Sequence, residues 1–449
     1  MSTETIAAIA TAPGTGGIGI VRISGPEAEK ILCRVFQPLK GNGEAPESHR
    51  LVLGTLHDGE REIDRCMAVL MRAPRSYTRE DVAELQVHGG GYVTREALEV
   101  CLKQGARLAE PGEFTRRAFL NGRIDLSQAE AVMRLISARG EQQHRAAVRQ
   151  MEGGASRFVR EAADRLYALQ AGLAACIDYP EEITEEEGTE QLAEGLEALI
   201  RMLREALNER GARMIENGLK VVLTGRPNVG KSSLLNALIG EERAIVTNVP
   251  GTTRDTIREE IILDGMPVVL TDTAGIRETE DPIEKMGVDR SRKAAREAEM
   301  ALLVLDASEP MTAEDRDLLM ELPEDGAVVL NKTDLQQQLR VEDIAGIRPG
   351  IRCVVCSARE PETLGAVKDL IRKQTEVSDR MALTQPRHQE IIRRAIRHLE
   401  DAQRTAETNA LDLAATDLQA AQAALGEITG DQVDERLLDS VFEQFCVGK

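Results

Sequence analysis

The segment Gly225-Arg-Pro-Asn-Val-Gly230-Lys231-Ser232 stands between an apolar run, Val221–Leu223, and a Leu-rich, helix-forming stretch. A glycine-rich loop that leaves a strand and opens a helix wraps its amides around phosphate at the positive end of the helix. That geometry constrains the fold, because it demands a strand and a helix packed side by side. The surrounding sequence obeys. Further apolar runs at Ile261–Leu263, Val268–Leu270, Ala301–Leu305, Val328–Leu330 and Cys353–Val355 alternate with helical stretches between about 216 and 378. Alternation of this kind predicts a mostly parallel sheet covered by helices. Asp264-Gly265 between two of the runs predicts one hairpin, and with it one antiparallel edge strand.

The flanks read differently. Residues 1–119 mix short strand-like runs, Ile18–Ile23 and Ala68–Met71, with Gly-rich turns; His88-Gly89-Gly90-Gly91 marks a turn or a helix entry. From about Asp125 the pattern is helical. Ser127-x-x-Glu130 fits a capping box, a second helix is expected over Arg160–Ala175, and the acidic stretch Tyr179–Glu187 is expected to be a solvated loop. Leu192, Leu196, Leu199, Ile200, Leu203 and Leu207 line one face of a third helix. After about 379 the pattern is helical again. The expected organisation is therefore 1–119, then a helical domain split into 120–215 and 379–449, which pack as one bundle around an inserted sheet domain, 216–378.

The 449 residues carry 56 Lys and Arg against 76 Asp and Glu, a net charge of −20. A uniformly basic nucleic-acid binder is excluded, so any RNA contact must use a local patch or a partner. With six Phe, four Tyr and no Trp, stacking platforms for single strands are not expected. Seven scattered cysteines point to reduced thiols. Cys353 and Cys356 form a lone C-x2-C inside Ile351–Cys356, an expected buried strand, and two ligands do not close a zinc site. The opening MSTETIAAIATAP lacks a basic start and a cleavage pattern, and no apolar run approaches the roughly 18 residues of a membrane helix. These features predict a cytoplasmic chain off the membrane.

Three more motifs complete a nucleotide site. Lys231 is placed to reach the β- and γ-phosphates, and the Ser232 hydroxyl to ligate Mg²⁺. Asp272-Thr-Ala-Gly275 ends an apolar strand: Asp272 would hold Mg²⁺ through water, and the Gly275 amide would sense the γ-phosphate. Asn331-Lys332-Thr333-Asp334 selects the base, because the Asp334 carboxylate can accept from guanine N1–H and its exocyclic amine, donors that adenine lacks. Ser357-Ala358 would bring a backbone amide to the guanine carbonyl oxygen. Gly251-Thr252-Thr253-Arg254-Asp255 sits where a switch loop belongs, with Thr253 on Mg²⁺ and the γ-phosphate. The residue after Gly275 is Ile276, which cannot orient a water. Either the chain only binds GTP, or an acid among Glu278, Glu280, Asp281 and Glu284 positions the nucleophile.

On these motifs, and on PGTGGIGIVRISG (13–25), EDVAELQVHGG (80–90), PGEFTRRAFLNGRIDLSQAEAV (111–132) and FCVGK (445–449), the chain resembles the MnmE (TrmE) family of tRNA-modification GTPases over almost its whole length. The resemblance implies an N-terminal α+β tetrahydrofolate-binding and dimerisation domain, a split helical bundle, and an inserted Ras-like P-loop G domain. It implies a GTP site built from Asn228, Val229, Gly230, Lys231, Ser232 and Ser233, from Thr247, Asn248, Val249, Pro250, Gly251, Thr252 and Thr253, and from Asp272, Thr273, Ala274 and Gly275. Asn331, Lys332, Asp334, Ser357, Ala358 and Arg359 would complete it around the base. Mg²⁺ falls to Ser232 and Thr253. K⁺ falls to Asn228, Thr247, Val249 and Thr252, in the place of an arginine finger; the alternative for Asn228 is a brace within the loop. Glu284 matches the water-positioning glutamate. Arg22, Glu84, Arg123 and Lys449 match positions that bind 5-formyl-tetrahydrofolate, with Arg123 replacing a lysine found in some members. Cys446 matches a near-terminal cysteine that is either catalytic or a small buried residue.

The activity implied is potassium-dependent GTP hydrolysis within wobble-uridine modification at C5. The implied partners are the flavoprotein MnmG in a heterotetramer or larger complex, tRNA, and a second copy of the chain. Two rivals from other classes are a regulatory or ribosome-assembly GTPase without one-carbon chemistry, and a folate enzyme that works unaided under G-domain control.

Overall fold

The computed structural model describes residues 4–39, 45–179, 185–241, 258–272, 298–376, 383–408 and 410–448. They form two compact units, one of residues 1–133, 150–163 and 422–449, the other of 134–149 and 164–421.

The first unit holds a seven-stranded sheet in the order β3-β4-β5-β6-β2-β1-β7. Its strands are β1 (Ile6–Ile9), β2 (Ile18–Ser24), β3 (Phe36–Pro38), β4 (Val52–Asp58), β5 (Arg61–Met71), β6 (Val82–His88) and β7 (Arg107–Leu108). All pairings are antiparallel except β1 with β7. Helix α1 (Ala28–Val35) buries Ala28, Ile31, Leu32 and Val35, a spacing that places all four on one face. With α2 (Gly91–Lys103) it covers Val21, Ile23, Ala68, Leu70, Ala83 and Leu85, which alternate along the strands. The glycine run after His88 is the entry to α2. Helix α3 (Glu113–Leu120) places Phe114 against Ile6 and Ala8, on the opposite side of β1.

Helix α4 (Leu126–Ser137) starts two residues earlier than Ser127-x-x-Glu130 predicts. Asp125 caps it, accepting from Gln128 N at 2.9 Å, while the Gln128 side chain accepts from Asp125 N at 3.0 Å. Asp125 and its i+3 glutamine form the box, which leaves Ser127 inside the helix. The helices α5 (Glu141–Met151), α6 (Gly154–Asp178), α7 (Glu185–Ala206) and α8 (Glu209–Asn217) follow. Of the expected acidic loop, 180–184 lie outside the described residues and Glu185 already opens α7; glutamate is favoured in a first turn by the helix dipole.

The second unit's sheet has the order β13-β12-β11-β8-β10-β9. Its strands are β8 (Leu219–Thr224), β9 (Arg258–Leu263), β10 (Met266–Asp272), β11 (Met300–Asp306), β12 (Ala327–Asn331) and β13 (Arg352–Val355). Every pairing is parallel except the β9–β10 hairpin, turned by Asp264 (φ 48°) and Gly265 (φ 73°). All seven residues of β11 are buried, as a central strand covered on both faces requires. Strand β13 corrects the buried-strand expectation for 351–356: it lies at the sheet edge, so Cys353 is half-buried and Val355 exposed. Burial pushes the Cys353 thiol up to about 11 and that of Cys356, just past the strand, to about 12. Helices α9 (Lys231–Glu241), α10 (Ala313–Glu321), α11 (Val341–Ile347) and α12 (Gly365–Arg372) belong to this sheet's domain; α13 (Pro386–Glu407), α14 (Leu411–Thr429) and α15 (Glu435–Phe442) complete the chain. Leu196, Leu199 and Leu203 of α7 are buried where it packs on α13. The chain is therefore multidomain α/β with helical segments on either side of a mostly parallel sheet. Among the described residues no helix is long and apolar enough to cross a membrane.

Candidate functional site

Strand β8 ends at Thr224, and the loop that follows turns so tightly that two glycines are obligatory. Gly225 sits at φ 135°, where an added Cβ would lie 2.3 Å from the Val304 carbonyl oxygen. Gly230 sits at φ 96°, where a Cβ would meet Asn331 Nδ2 at 2.3 Å. Asn228 takes φ 65°, a conformation asparagine tolerates better than most residues. Its exposed side chain lines the cavity and makes no hydrogen bond among the described residues.

Lys231 begins α9 and is 5 % exposed. Its ammonium donates to the carbonyl oxygens of Gly225 (2.8 Å) and Arg226 (2.7 Å), so the loop curls around its own lysine. Burial holds the Lys231 pKa below the ordinary lysine value, against the opposing pull of Asp272 and Glu314. Ser232 Oγ donates to Asp272 Oδ2 at 2.5 Å from the end of β10. A hydroxyl and a carboxylate converging from two elements are hard oxygen donors of the kind Mg²⁺ takes.

The opposite wall is built from the ends of β12 and β13. Asn331, 1 % exposed, donates from Nδ2 to the Val229 carbonyl (3.0 Å) and accepts at Oδ1 from Ala358 N (3.0 Å). One amide thus ties the phosphate loop to the Ser357-Ala358 turn. Lys332, at φ 66°, pairs with Asp306 Oδ2 at 2.5 Å. Burial alone would raise the Asp306 pKa; hydrogen bonds from Lys332 and Ser308 outweigh it and hold the carboxyl below its ordinary value. Asp334 Oδ1 accepts from Ser357 Oγ at 2.7 Å, and Arg359 stands 3.8 Å from Oδ2. Asn228, Gly230, Lys231, Ser232, Ser233, Asn331, Lys332, Asp334, Ser357, Ala358 and Arg359 all line one cavity of about 580 Å³; Val229 is buried behind it. The cavity presents amides and an ammonium at one wall and a carboxylate at the other, so it can take a ligand with phosphates and a base that donates.

Sequence reasoning missed what holds the loop. Arg226 Nε donates to Asp315 Oδ1 at 2.8 Å, and the other carboxylate oxygen of Asp315 accepts from Thr312, capping α10. The Thr312-x-x-Asp315 pattern signals that cap in the sequence, but nothing there points to Arg226. Thr247, Asn248, Val249, Pro250, Gly251, Thr252, Thr253, Arg254 and Asp255 lie outside the described residues, as do Thr273, Ala274, Gly275, Ile276, Glu278, Glu280, Asp281, Glu284 and Lys449.

A second cavity, of about 650 Å³, belongs to the first unit. Arg22 and Glu84 are register partners on β2 and β6, and their side chains pair at 2.8 Å. Arg22 also lies 5.8 Å from the Tyr77 ring centroid and 5.7 Å from that of Phe114, and Nη1 donates to the Gly448 carbonyl at 3.4 Å. Arg123 lies 5.4 Å from the Tyr77 centroid and donates to the Ser76 carbonyl. The three matched residues are therefore brought together, with Tyr77 and Ser76 as unforeseen neighbours. The cavity joins guanidinium donors, one carboxylate and aromatic faces, which fits a flat heterocycle carrying carboxylates. Cys446 is exposed rather than buried, close to a bridge between Pro111 and Val447.

Residues 126–446 match the family model of the MnmE helical domain, and residues 5–123 that of the GTP-binding protein TrmE N-terminus. The tRNA modification GTPase MnmE of Heliobacterium modesticaldum is 47 % identical, over 99 % of this chain and 99 % of its own. Those of Symbiobacterium thermophilum and Listeria welshimeri are 46 % and 44 % identical, each over the full length of both chains. Likeness of this extent leaves no segment of the architecture unmatched: the chain belongs to the MnmE (TrmE) family of tRNA modification GTPases.

Proposed function

We propose that the chain hydrolyses GTP in a potassium-dependent way as one component of wobble-uridine modification in tRNA, placing an aminomethyl or carboxymethylaminomethyl group at C5. The observation that carries the nucleotide half is the Asp334 carboxylate, held by Ser357 in the wall opposite Lys231 of one cavity. In this reading Asp334 accepts from guanine, the Ala358 amide donates to its carbonyl oxygen, and Asn331 fixes the distance between base and phosphate walls. Lys231 and the loop amides hold the phosphates. Ser232, with Thr253 and with Asp272 through water, would hold Mg²⁺, which neutralises charge on the β- and γ-oxygens. Asn228, whose amide oxygen is available, would join Thr247, Val249 and Thr252 around K⁺, which supplies positive charge between the phosphates. Glu284 would orient the attacking water that Ile276 cannot.

The one-carbon half rests on the Arg22–Glu84 pair and its aromatic neighbours, which suit 5-formyl-tetrahydrofolate, with Arg123 and Lys449 completing the site. Exposed Cys446 is then available for chemistry at that site. The proposed assembly is a cytoplasmic homodimer joined through residues 1–119, working with a flavoprotein of the MnmG kind. Its domain limits are 1–119, 120–215 with 379–449, and 216–378.

Nucleoside mass spectrometry of tRNA from a deletion strain tests this reading directly. Loss of the C5-modified wobble uridine, restored by the intact gene, is the expected result; normal levels in the deletion would end it. The cation has its own test. GTP hydrolysis should rise at least about tenfold when K⁺ replaces Na⁺ at constant ionic strength, as expected for charge stabilisation at the transition state. Equal rates in the two salts would strike Asn228 from the catalytic set.

A further inference from the structure

The chain carries twenty more acids than bases, and some of its exposed arginines pair with carboxylates: Arg50 with Glu47, Arg65 with Glu62, Arg145 with Glu141. The cavity of the first unit gathers arginines in one place. Arg22, Arg75, Arg79 and Arg123 all line it against a single carboxylate, Glu84. Arg22 is engaged by Glu84, and Arg123 by Ser76 and Tyr77. Arg75 is exposed and makes no side-chain hydrogen bond or ion pair among the described residues. Arg79, also exposed, commits only Nη1 among the described residues, to the Asn121 carbonyl at 3.0 Å. The nearby Asp81 carboxylate is taken by Ala73 N–H, and Glu80 by Arg117 and Ser24.

The loop that presents these two guanidiniums is fixed. Buried Ser76 donates to the Glu80 carbonyl at 2.5 Å, buried Thr78 bonds Ser24 at 2.7 Å, and Asn121 donates to the Thr78 carbonyl at 2.7 Å. A rigid loop that holds uncommitted donors loses little freedom when a ligand arrives. Resting on the folate reading above, we propose that Arg75 and Arg79 select folates bearing a chain of γ-linked glutamates over the monoglutamate. The half-buried Arg22 and Glu84 take the heterocyclic end, and the exposed pair takes carboxylates further along the ligand. Every added glutamate brings one more α-carboxylate, and the planar guanidinium fork matches that group. At exposed positions each such contact is modest and screened by salt.

The test is calorimetric titration of the full-length protein with 5-formyl-tetrahydrofolate as monoglutamate and as pentaglutamate. At low ionic strength the pentaglutamate should bind about tenfold tighter, and the gap should narrow steeply toward 0.5 M salt. Arg75→Gln with Arg79→Gln should close the gap while leaving the monoglutamate within about twofold, and Arg79→Lys should recover part of it. Arg75→Glu, at a position with no side-chain partner among the described residues, should reverse the preference without affecting folding. Equal affinity of the wild type for both ligands, or a gap that survives the double substitution, overturns the proposal and leaves the folate reading standing. Failure of both ligands to bind overturns both. A double substitution that weakens tRNA binding but not the pentaglutamate gap would assign the two arginines to phosphate instead.

Discussion

Asp334→Asn should weaken GTP binding by roughly a hundred- to a thousandfold and turn the preference toward XTP. A hydrogen bond to a charged acceptor contributes about 1.5–3 kcal/mol, and guanine presents two donors to this carboxylate; losing or inverting them costs about 3–4 kcal/mol. The asparagine amide cannot accept from both, but it can donate to the oxo group that xanthine has in place of the amine. Ser357 Oγ keeps an oxygen to bond at 2.7 Å, so the loop itself should survive. Equilibrium titration with GTP, ATP and XTP measures the change. GTP affinity within a few-fold of wild type would show that Asp334 faces away from the base.

Lys231→Ala should lower kcat/KM for GTP by about 10³-fold, as loss of a buried phosphate-directed cation from a preorganised site implies. Stability should move much less, because two terms oppose. The carbonyls of Gly225 and Arg226 lose their donor, at about 1–3 kcal/mol each if they remain dry. Removing an ammonium whose charged form is already disfavoured by burial returns part of that cost. A melting temperature within a few degrees of wild type, beside a collapse in single-turnover hydrolysis, separates the two roles. Hydrolysis within tenfold of wild type would mean the loop amides alone hold the phosphates.

Where a structural element is written in one short segment, the sequence was sufficient. The six strands of the second sheet all lie where apolar runs predicted, and Asp264-Gly265 makes the expected turn. Local chemistry dictates these features: an apolar run must be covered, and a hairpin needs residues that accept positive φ. What spans the chain was not legible. Asn331 touches Val229 across 102 positions and Arg226 touches Asp315 across 89, and neither pairing leaves a trace in periodicity or spacing. The cap at Asp125 was missed for a subtler reason. Asp125-x-x-Gln128 overlaps Ser127-x-x-Glu130, both fit the same capping pattern, and the sequence does not say which one opens the helix. In the first unit the matched residues Arg22, Glu84 and Arg123 came from resemblance alone, since a strand pair 62 positions apart declares nothing locally. Thr253 and Glu284, on which hydrolysis rests in the proposed mechanism, stand on the sequence only.

Residues 422–448 belong with residues 4–133 rather than with the sheet domain beside them in the chain. Leu438, Phe442 and Phe445 fill the core around Leu126 and Ala129, and a Cβ on Gly448 would strike the Ile9 carbonyl at 2.2 Å. During synthesis this arrangement imposes an order. At roughly 5–20 residues per second, about 20–90 s separate the appearance of β1 from that of α15. All six strands of the second sheet emerge within that interval. The first unit therefore waits, with Leu126 and Ala129 uncovered, while a later-starting domain completes itself. The stretch from about Phe119 to Met133 is then open to mispairing or to capture by chaperones, and a pause before residue 438 would prolong that exposure.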